Sequence, residues 1–237
     1  MDTSSTAHPE VAVDLVLLSW AEDPDGPLKA QLQVGLIWST AVGPGGWALP
    51  GAYVQHEQTV RDAVGGVFGE KVGLPPVDRL MHLPPFSEPG RDPRRRTISL
   101  PVLALLPNRG VPRDAFLGTW ATLRSDVDPP ALAIDDDPVD LLFDHADIVA
   151  TALAELRRRL QADDLHFLTG LLAPRFALRE LERVWNAISG EEANTPSFRR
   201  RMTGLKRPGT DRQPWLEETE ETGAQSSGRP AKLYRWT

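Results

Sequence analysis

With 237 residues and 41% hydrophobic content, the chain can bury a substantial core in one large or two modest domains. It has no cysteine, which excludes a disulfide framework, a thiolate zinc site and a cysteine nucleophile. The net charge of −7 is uneven: residues 175–237 carry twelve Lys/Arg against nine Asp/Glu, and residues 1–174 fourteen against twenty-four. An acidic body followed by a basic tail points to a tail that meets a polyanion.

Residues 1–10 are polar and acidic and read as disordered. They lack a basic n-region, and no apolar run reaches membrane length, so the expectation is a cytoplasmic protein with no membrane partner. Val11–Trp20 is apolar and β-branched, a buried strand with Asp14 inside it. AEDPDGP (21–27) is a turn. Leu28–Thr40 is a second strand, with Leu32, Val34, Leu36 and Trp38 alternating on one face. AVGPGG (41–46) reads as a hairpin loop; it has no GK[ST] and no following helix to make a phosphate cradle.

From Gly46 to Leu74 the pattern is strand, glycine turn, loop, helix, glycine turn. Val60, Ala63, Val64, Val67 and Phe68 keep helical spacing, and Gly73 stops the helix. This layout resembles the Nudix box, whose glutamates hold divalent cations that activate water against a pyrophosphate. Anchored on Gly73–Leu74, the resemblance puts the family's Glu-Glu pair on Glu70 and Lys71, its Arg-Glu pair on Gly66 and Val67, its upstream Glu on Gln58 and its Gly on Ala52. One carboxylate facing a lysine is a poor ligand set for a hard cation. The expectation is therefore a kept scaffold without hydrolytic equipment: no catalytic residues, no metal, no required cofactor, and Glu70 as a vestigial ligand or simply an exposed helix residue.

Leu80–Phe86 reads as a strand interrupted by Pro84–Pro85, and Thr97–Leu106 as an apolar strand. The loop between them packs Arg91, Arg94, Arg95 and Arg96 into six residues. Guanidinium groups there would suit bidentate contacts to a diphosphate, so Arg91, Arg94 and Arg96 are the candidate ligand contacts. Tyr53 is either a stacking partner for a base or ribose or a core residue. Ala115–Leu123 is a strand, 125–138 an acidic loop, and Val139–Leu160 a helix with Phe143, Ile148, Ala152, Leu153 and Leu156 on its apolar stripe. His145, between Asp144 and Asp147, reads as structural, and 165–172 as a short helix or linker.

The tail reads differently. Residues 176–190 form an amphipathic helix with Leu178, Leu181, Val184, Trp185 and Ile188 on one face, ended by Gly190. Thr195 as N-cap and Pro196 as first helical residue open a second helix, in which Phe198, Met202 and Leu205 face inward. Arg199, Arg200, Thr203 and Lys206 are left outside. Trp215–Thr219 and Ala231–Trp236 are strands around a polar loop whose tip carries Arg229. Two helices, a basic outer face and a hairpin make a winged helix-turn-helix, whose second helix would enter a major groove.

FDHADIVATALAELRRRL, FALRELERVWNAI, SFRRRM and GRPAKLYRW together resemble the Nudix-related transcriptional regulators of NAD metabolism. The resemblance implies an α+β chain: a Nudix-like α/β/α sandwich with a mixed sheet (11–162), a linker (163–174) and a winged helix (175–237). It implies a repressor that binds palindromic double-stranded DNA as a homodimer and senses ADP-ribose or a related NAD-pathway nucleotide. The expected DNA contacts are Thr195, Ser197, Arg199, Arg200, Thr203, Lys206, Arg229 and Lys232. The rival readings are a Nudix hydrolase with an accessory domain, and a winged helix used for protein contacts.

Overall fold

The computed structural model describes residues 8–22, 30–77, 79–108, 113–207, 213–222 and 231–237. Its first half is built on β1 (Glu10–Glu22), whose two ends take different partners. The second half of β1 pairs antiparallel with β2 (Ala30–Ser39), from Leu17–Gly35 to Glu22–Ala30. β3 (Gly46–Ala48) pairs with β2, and β4 (Gly51–Tyr53) pairs with the first half of β1. Pro50 separates the two short strands, so the expected glycine break is followed at once by a new strand. Helix α1 (Val60–Val67) runs into a π-helical turn at 68–72, and Gly73 ends it in the left-handed conformation, φ 73°. The expected glycine stop is borne out.

β5 (Leu80–His82), β6 (Thr97–Ser99) and β7 (Val102–Leu105) follow. The stretch expected as one strand over Thr97–Leu106 is two. Pro101 has no N–H to give a ladder, and it falls where β1 changes parallel partner, from β6 at Glu10–Ala12 to β7 at Leu15–Leu18. β8 (Thr119–Arg124), β9 (Ala131–Ile134) and β10 (Asp137–Val139) complete the sheet, in the order β10–β9–β8–β2–β1–β7–β5. The expected acidic loop at 125–138 is thus largely a hairpin: Asp135 and Asp136 turn it at φ 49° and 68°. Helix α2 spans His145–Gln161, starting later than expected because Val139 belongs to β10.

Alternation along β1 builds a core on each face. Val13, Leu15 and Leu17 pack with Ala63, Val64, Val67 and Phe68 of α1. Val16, Leu18 and Trp20 pack with Ile148, Ala152, Leu153 and Leu156 of α2. The sandwich with a mixed sheet is borne out. Of the four residues expected on one face of β2, Leu32, Val34 and Leu36 are buried, but Trp38 is 57% exposed and meets Trp47 edge-on at 5.3 Å.

The second half contains β11 (Phe176–Ala177), α3 (Leu178–Ser189), α4 (Thr195–Gly204), β12 (Leu216–Thr222) and β13 (Lys232–Trp236). Its sheet order is β11–β13–β12. All five expected apolar residues of α3 are buried, and Gly190 ends the helix at φ 78°. The core of this half is continuous with the α2 side of the sandwich, through Leu165, Phe167, Leu168, Leu171 and Leu172. Residues 163–174, expected as a linker, therefore contribute buried side chains, and the indole of Trp20 donates to the Leu171 carbonyl at 2.7 Å. Within this segment, 165–172, read as a short helix or linker, forms a 3-10 turn at His166–Gly170, matching the first of the two readings.

Candidate functional sites

The first site lies over β4 and the 88–96 loop. Asp14 sits within apolar β1 with 7% exposure. It accepts from Ser99 Oγ at 2.6 Å and from Arg91 Nη2 at 3.2 Å, and His145 Nε2 lies 3.5 Å away. Burial alone would push the Asp14 carboxyl up, but the bonds and charges of His145, Ser99 and Arg91 prevail and hold it below the usual carboxylate range. Arg91 also grips Asp144 through Nε (2.8 Å) and Nη2 (2.6 Å). His145 Nδ1 accepts from the Leu49 amide at 2.9 Å, consistent with its structural reading.

This corrects the assignment of Arg91 as a ligand contact. Its side chain is 4% exposed and its guanidinium bridges two carboxylates from β1 and the start of α2. Arg94 is different. It lies over Phe143 at 5.2 Å, and its side chain is 37% exposed. Buried Asp92 orients it, accepting from Arg94 Nε (2.9 Å), Arg94 Nη2 (2.7 Å) and the Tyr53 hydroxyl (2.9 Å). Arg95 lies over the Tyr53 ring at 5.2 Å. Arg96 is exposed and, among the described residues, its side chain makes only long contacts, 3.4 Å, to the Glu88 and Thr97 carbonyls. Tyr53 is half-buried. The result is a patch of two rings and two guanidinium groups, able to stack on a planar base and to pair with an oxyanion.

Phe143 was expected on the stripe of α2. It instead precedes that helix at φ 61°, a backbone conformation uncommon for a bulky residue, which turns its ring toward Arg94. Asp92 is held at about 2 by its bonds from Arg94, with burial opposing and Tyr53 assisting. A depressed folded pKa adds stability above the unfolded value, near ~4, and that stability is lost as pH falls through about 2. Asp92→Asn is therefore expected to be less stable than wild type at neutral pH, with the gap closing as pH falls across this window in urea titrations.

The box helix is arranged around other bonds. Lys71 Nζ donates to the Gly51 carbonyl, placing an ammonium between the helix and β4. Glu70 is exposed, Val67 is buried, and Gln58 Oε1 accepts from the Gln55 amide at 3.1 Å. Thr59 and Asp62 form a reciprocal capping box that starts α1. Among the described residues no group of three or more His, Asp or Glu side chains is placed to hold a metal ion.

The second site is the outer face of α4. Asn194 caps this helix, its side chain accepting from the Ser197 amide at 3.2 Å; Thr195 is the first helical residue, one position later than the cap expected there. Phe198 and Met202 are buried, while Thr195, Ser197, Arg199, Arg200 and Thr203 are exposed. The Thr203 hydroxyl donates to the Arg199 carbonyl at 2.9 Å. Arg199 and Arg200 have no ion-pair partner among the described residues. Arg201 points the other way, pairing with Asp163 and lying 4.9 Å over the Trp185 ring.

Lys206 is exposed but lies past the end of α4, in a bridge with Pro214, so it is not on the helix face expected for it; Leu205 likewise caps the helix from outside. Lys232 pairs across the hairpin with Glu218 at 2.6 Å. Neighbouring acids on β12 are also paired, Glu217 with Arg235 and Glu221 with Arg175. Lys232 and Arg235 of the described wing are thus each paired with an acid, whereas Arg199 and Arg200 of α4 have no ion-pair partner among the described residues. Arg229 lies outside the described residues.

The fold joins a Nudix-type sandwich to a winged helix. A MutT/nudix family protein from Enterococcus faecalis shares it, with TM-score 0.71 and 22% identity over 100% of this chain and 90% of that one. So does Shewanella oneidensis NrtR complexed with a 27mer DNA, with TM-score 0.68 and 23% identity over 96% and 93%. Residues 169–236 match the family model of the NrtR DNA-binding winged helix domain. The "ADPR responsive transcriptional repressor NtrR" of Acinetobacter baylyi is 27% identical over 98% of this chain and 84% of its own length. The C-terminal part is similar to the NrtR winged helix, and the resemblance read from the sequence is borne out.

Proposed function

We propose that this protein is a DNA-binding transcriptional repressor whose Nudix-like half senses ADP-ribose or a related nucleotide. The observation that carries the reading is the exposed, unpaired Arg199–Arg200 pair on the second helix of an NrtR-type winged helix. Phosphate contacts from such a face supply affinity, and base contacts from the helix supply sequence choice. A two-fold homodimer would read a palindrome, in front of genes of NAD synthesis or salvage. The likeness to the ADPR-responsive repressor supports ADP-ribose as effector, and the Tyr53–Phe143–Arg94–Arg95 patch suits its base and diphosphate. We place the sensor at 11–162 and the reader from 175, joined by the packed 163–174 segment, in a cytoplasmic protein. No described helix is long and apolar enough to cross a membrane.

The test is a gel shift with palindrome-bearing DNA from upstream of its own gene and of neighbouring NAD genes, with and without ADP-ribose. A sequence-specific shift altered by ADP-ribose is expected; no specific shift would defeat the repressor reading. The Nudix half acts here without hydrolysis. The Lys71 ammonium on Gly51, and Gly66 and Val67 where the motif has Arg-Glu, motivate that statement. Incubation with ADP-ribose and Mg²⁺ is expected to release no AMP above background. Turnover abolished by Glu70→Gln would restore the hydrolase reading.

A further inference from the structure

Between the start of β2, the end of β8 and α3 lies a cavity of about 720 Å³, within the range of small-molecule sites at domain interfaces. Its walls include Gln31, Thr122, Arg179, Arg183, Asn186 and Ala187. Arg179, Arg183 and Asn186 lie at successive turns along one face of α3. Like charges four residues apart repel along a helix, and Glu22, which pairs with Arg183, and Glu182 offset only part of that repulsion.

Arg183 is the more telling of the two. Its side chain is 9% exposed, yet its guanidinium, with five N–H donors, makes one bond among the described residues, to Glu22 at 3.2 Å. Arg179 is exposed and has no ion pair among the described residues. Glu182, half-buried and between them in sequence, also lines the cavity and offsets part of their charge. The other charges are placed differently. Asp126 is held by Arg124 at 3.2 Å, and Glu191 and Glu192 are exposed residues of the α3–α4 turn. Leu32, Leu123 and Ala193 add apolar wall.

We propose that this cavity binds a small molecule with a single oxyanion, a phosphate monoester or carboxylate, and an uncharged body. The oxyanion sits on Arg183 and Arg179, and the body lies against the apolar wall. An acidic rim disfavours more highly charged anions. This site is separate from the patch at Tyr53 and Arg94. Its far wall is the turn from Gly190 to Thr195, which leads into α4, so its occupant touches the segment that presents Arg199 and Arg200. That consequence for DNA affinity rests on the repressor reading; the existence of the site does not.

The test is isothermal titration of the full chain, without DNA, using AMP, inorganic phosphate and benzoate as probes. Saturable binding of at least one probe is expected. Arg179→Gln and Arg183→Gln should each weaken it about ten-fold, the usual effect of losing one charge-assisted contact. Any part of the binding lost in Arg94→Ala belongs to the patch at Tyr53 and Arg94 and is assigned there. Arg183 is buried, so thermal melting checks that variant; if it does not fold, Arg179→Gln decides. No saturable binding of any probe, or affinities unaffected by the folded cavity variants, would overturn the proposal. So would a loss confined to Arg94→Ala, which would place the probe in the other site.

Discussion

Replacing Arg199 and Arg200 together with alanine is expected to weaken specific DNA binding about 100-fold at moderate salt, with the fold intact. Base or phosphate contacts from arginine are each worth about 1–3 kcal/mol, and each 1.4 kcal/mol is tenfold in affinity. Both side chains are exposed, while the buried anchors of the helix, Phe198 and Met202, are untouched. If the pair contacts phosphates, the slope of log affinity against log salt should also flatten by about 2. Fluorescence anisotropy at several salt concentrations measures both. An unchanged affinity and slope would mean that α4 is not the reading surface. Arg201→Ala is the contrast: Arg201 pairs with Asp163 and covers Trp185, so its loss should lower the melting temperature.

The largest stability effect is expected from Arg91→Met. This substitution keeps much of the bulk but leaves Asp14 and Asp144 without their shared cation. Breaking a buried ion pair from one side costs about 3–5 kcal/mol, because the abandoned charge stays buried. Urea denaturation at neutral pH would show the loss. Asp14 is depressed in the folded state, so its favourable contribution is present above the usual carboxylate range and is lost as pH falls through its folded value. The penalty of Arg91→Met should therefore shrink in acid. Combining it with Asp14→Asn and Asp144→Asn should recover much of the loss at neutral pH. A near-neutral Arg91→Met would mean that the network is dispensable and would reopen Arg91 as a ligand contact.

The features legible in the sequence are those whose cause is local. The apolar run of β1, the inward face of α3 and the stops at Gly73 and Gly190 depend on residues a few positions apart. Arg91 was misplaced because its partners lie 77 and 53 residues away; nothing in the loop distinguishes it from Arg94. The one hint was Asp14, a charge inside an apolar strand, which demands a partner somewhere. The β9–β10 hairpin was hidden because its strands are short and its turn, Asp135–Asp136, reads as an acidic loop. Phe143 fell on the α2 stripe by spacing, and only its backbone turn moves it to the patch with Arg94.

Several bonds join the two halves where α3 ends. Arg157 of α2 donates to the Ile188 carbonyl at 2.9 Å and also to the Ser125 carbonyl, and Ser125 Oγ donates to the Ala187 carbonyl at 2.5 Å. These bonds tie α3 to the sandwich, and the Arg201–Asp163 pair adds a surface contact between α4 and the 163–174 segment. If α4 reads DNA as proposed, α3 anchored in this way would hold α4 in a set orientation to the sandwich. In a two-fold pair of such chains, the phasing between recognition elements would be set by the body. One inserted base pair at the centre of a palindrome rotates one half-site by about 34° relative to the other. For this protein, spacer length would then be read as strictly as the bases themselves.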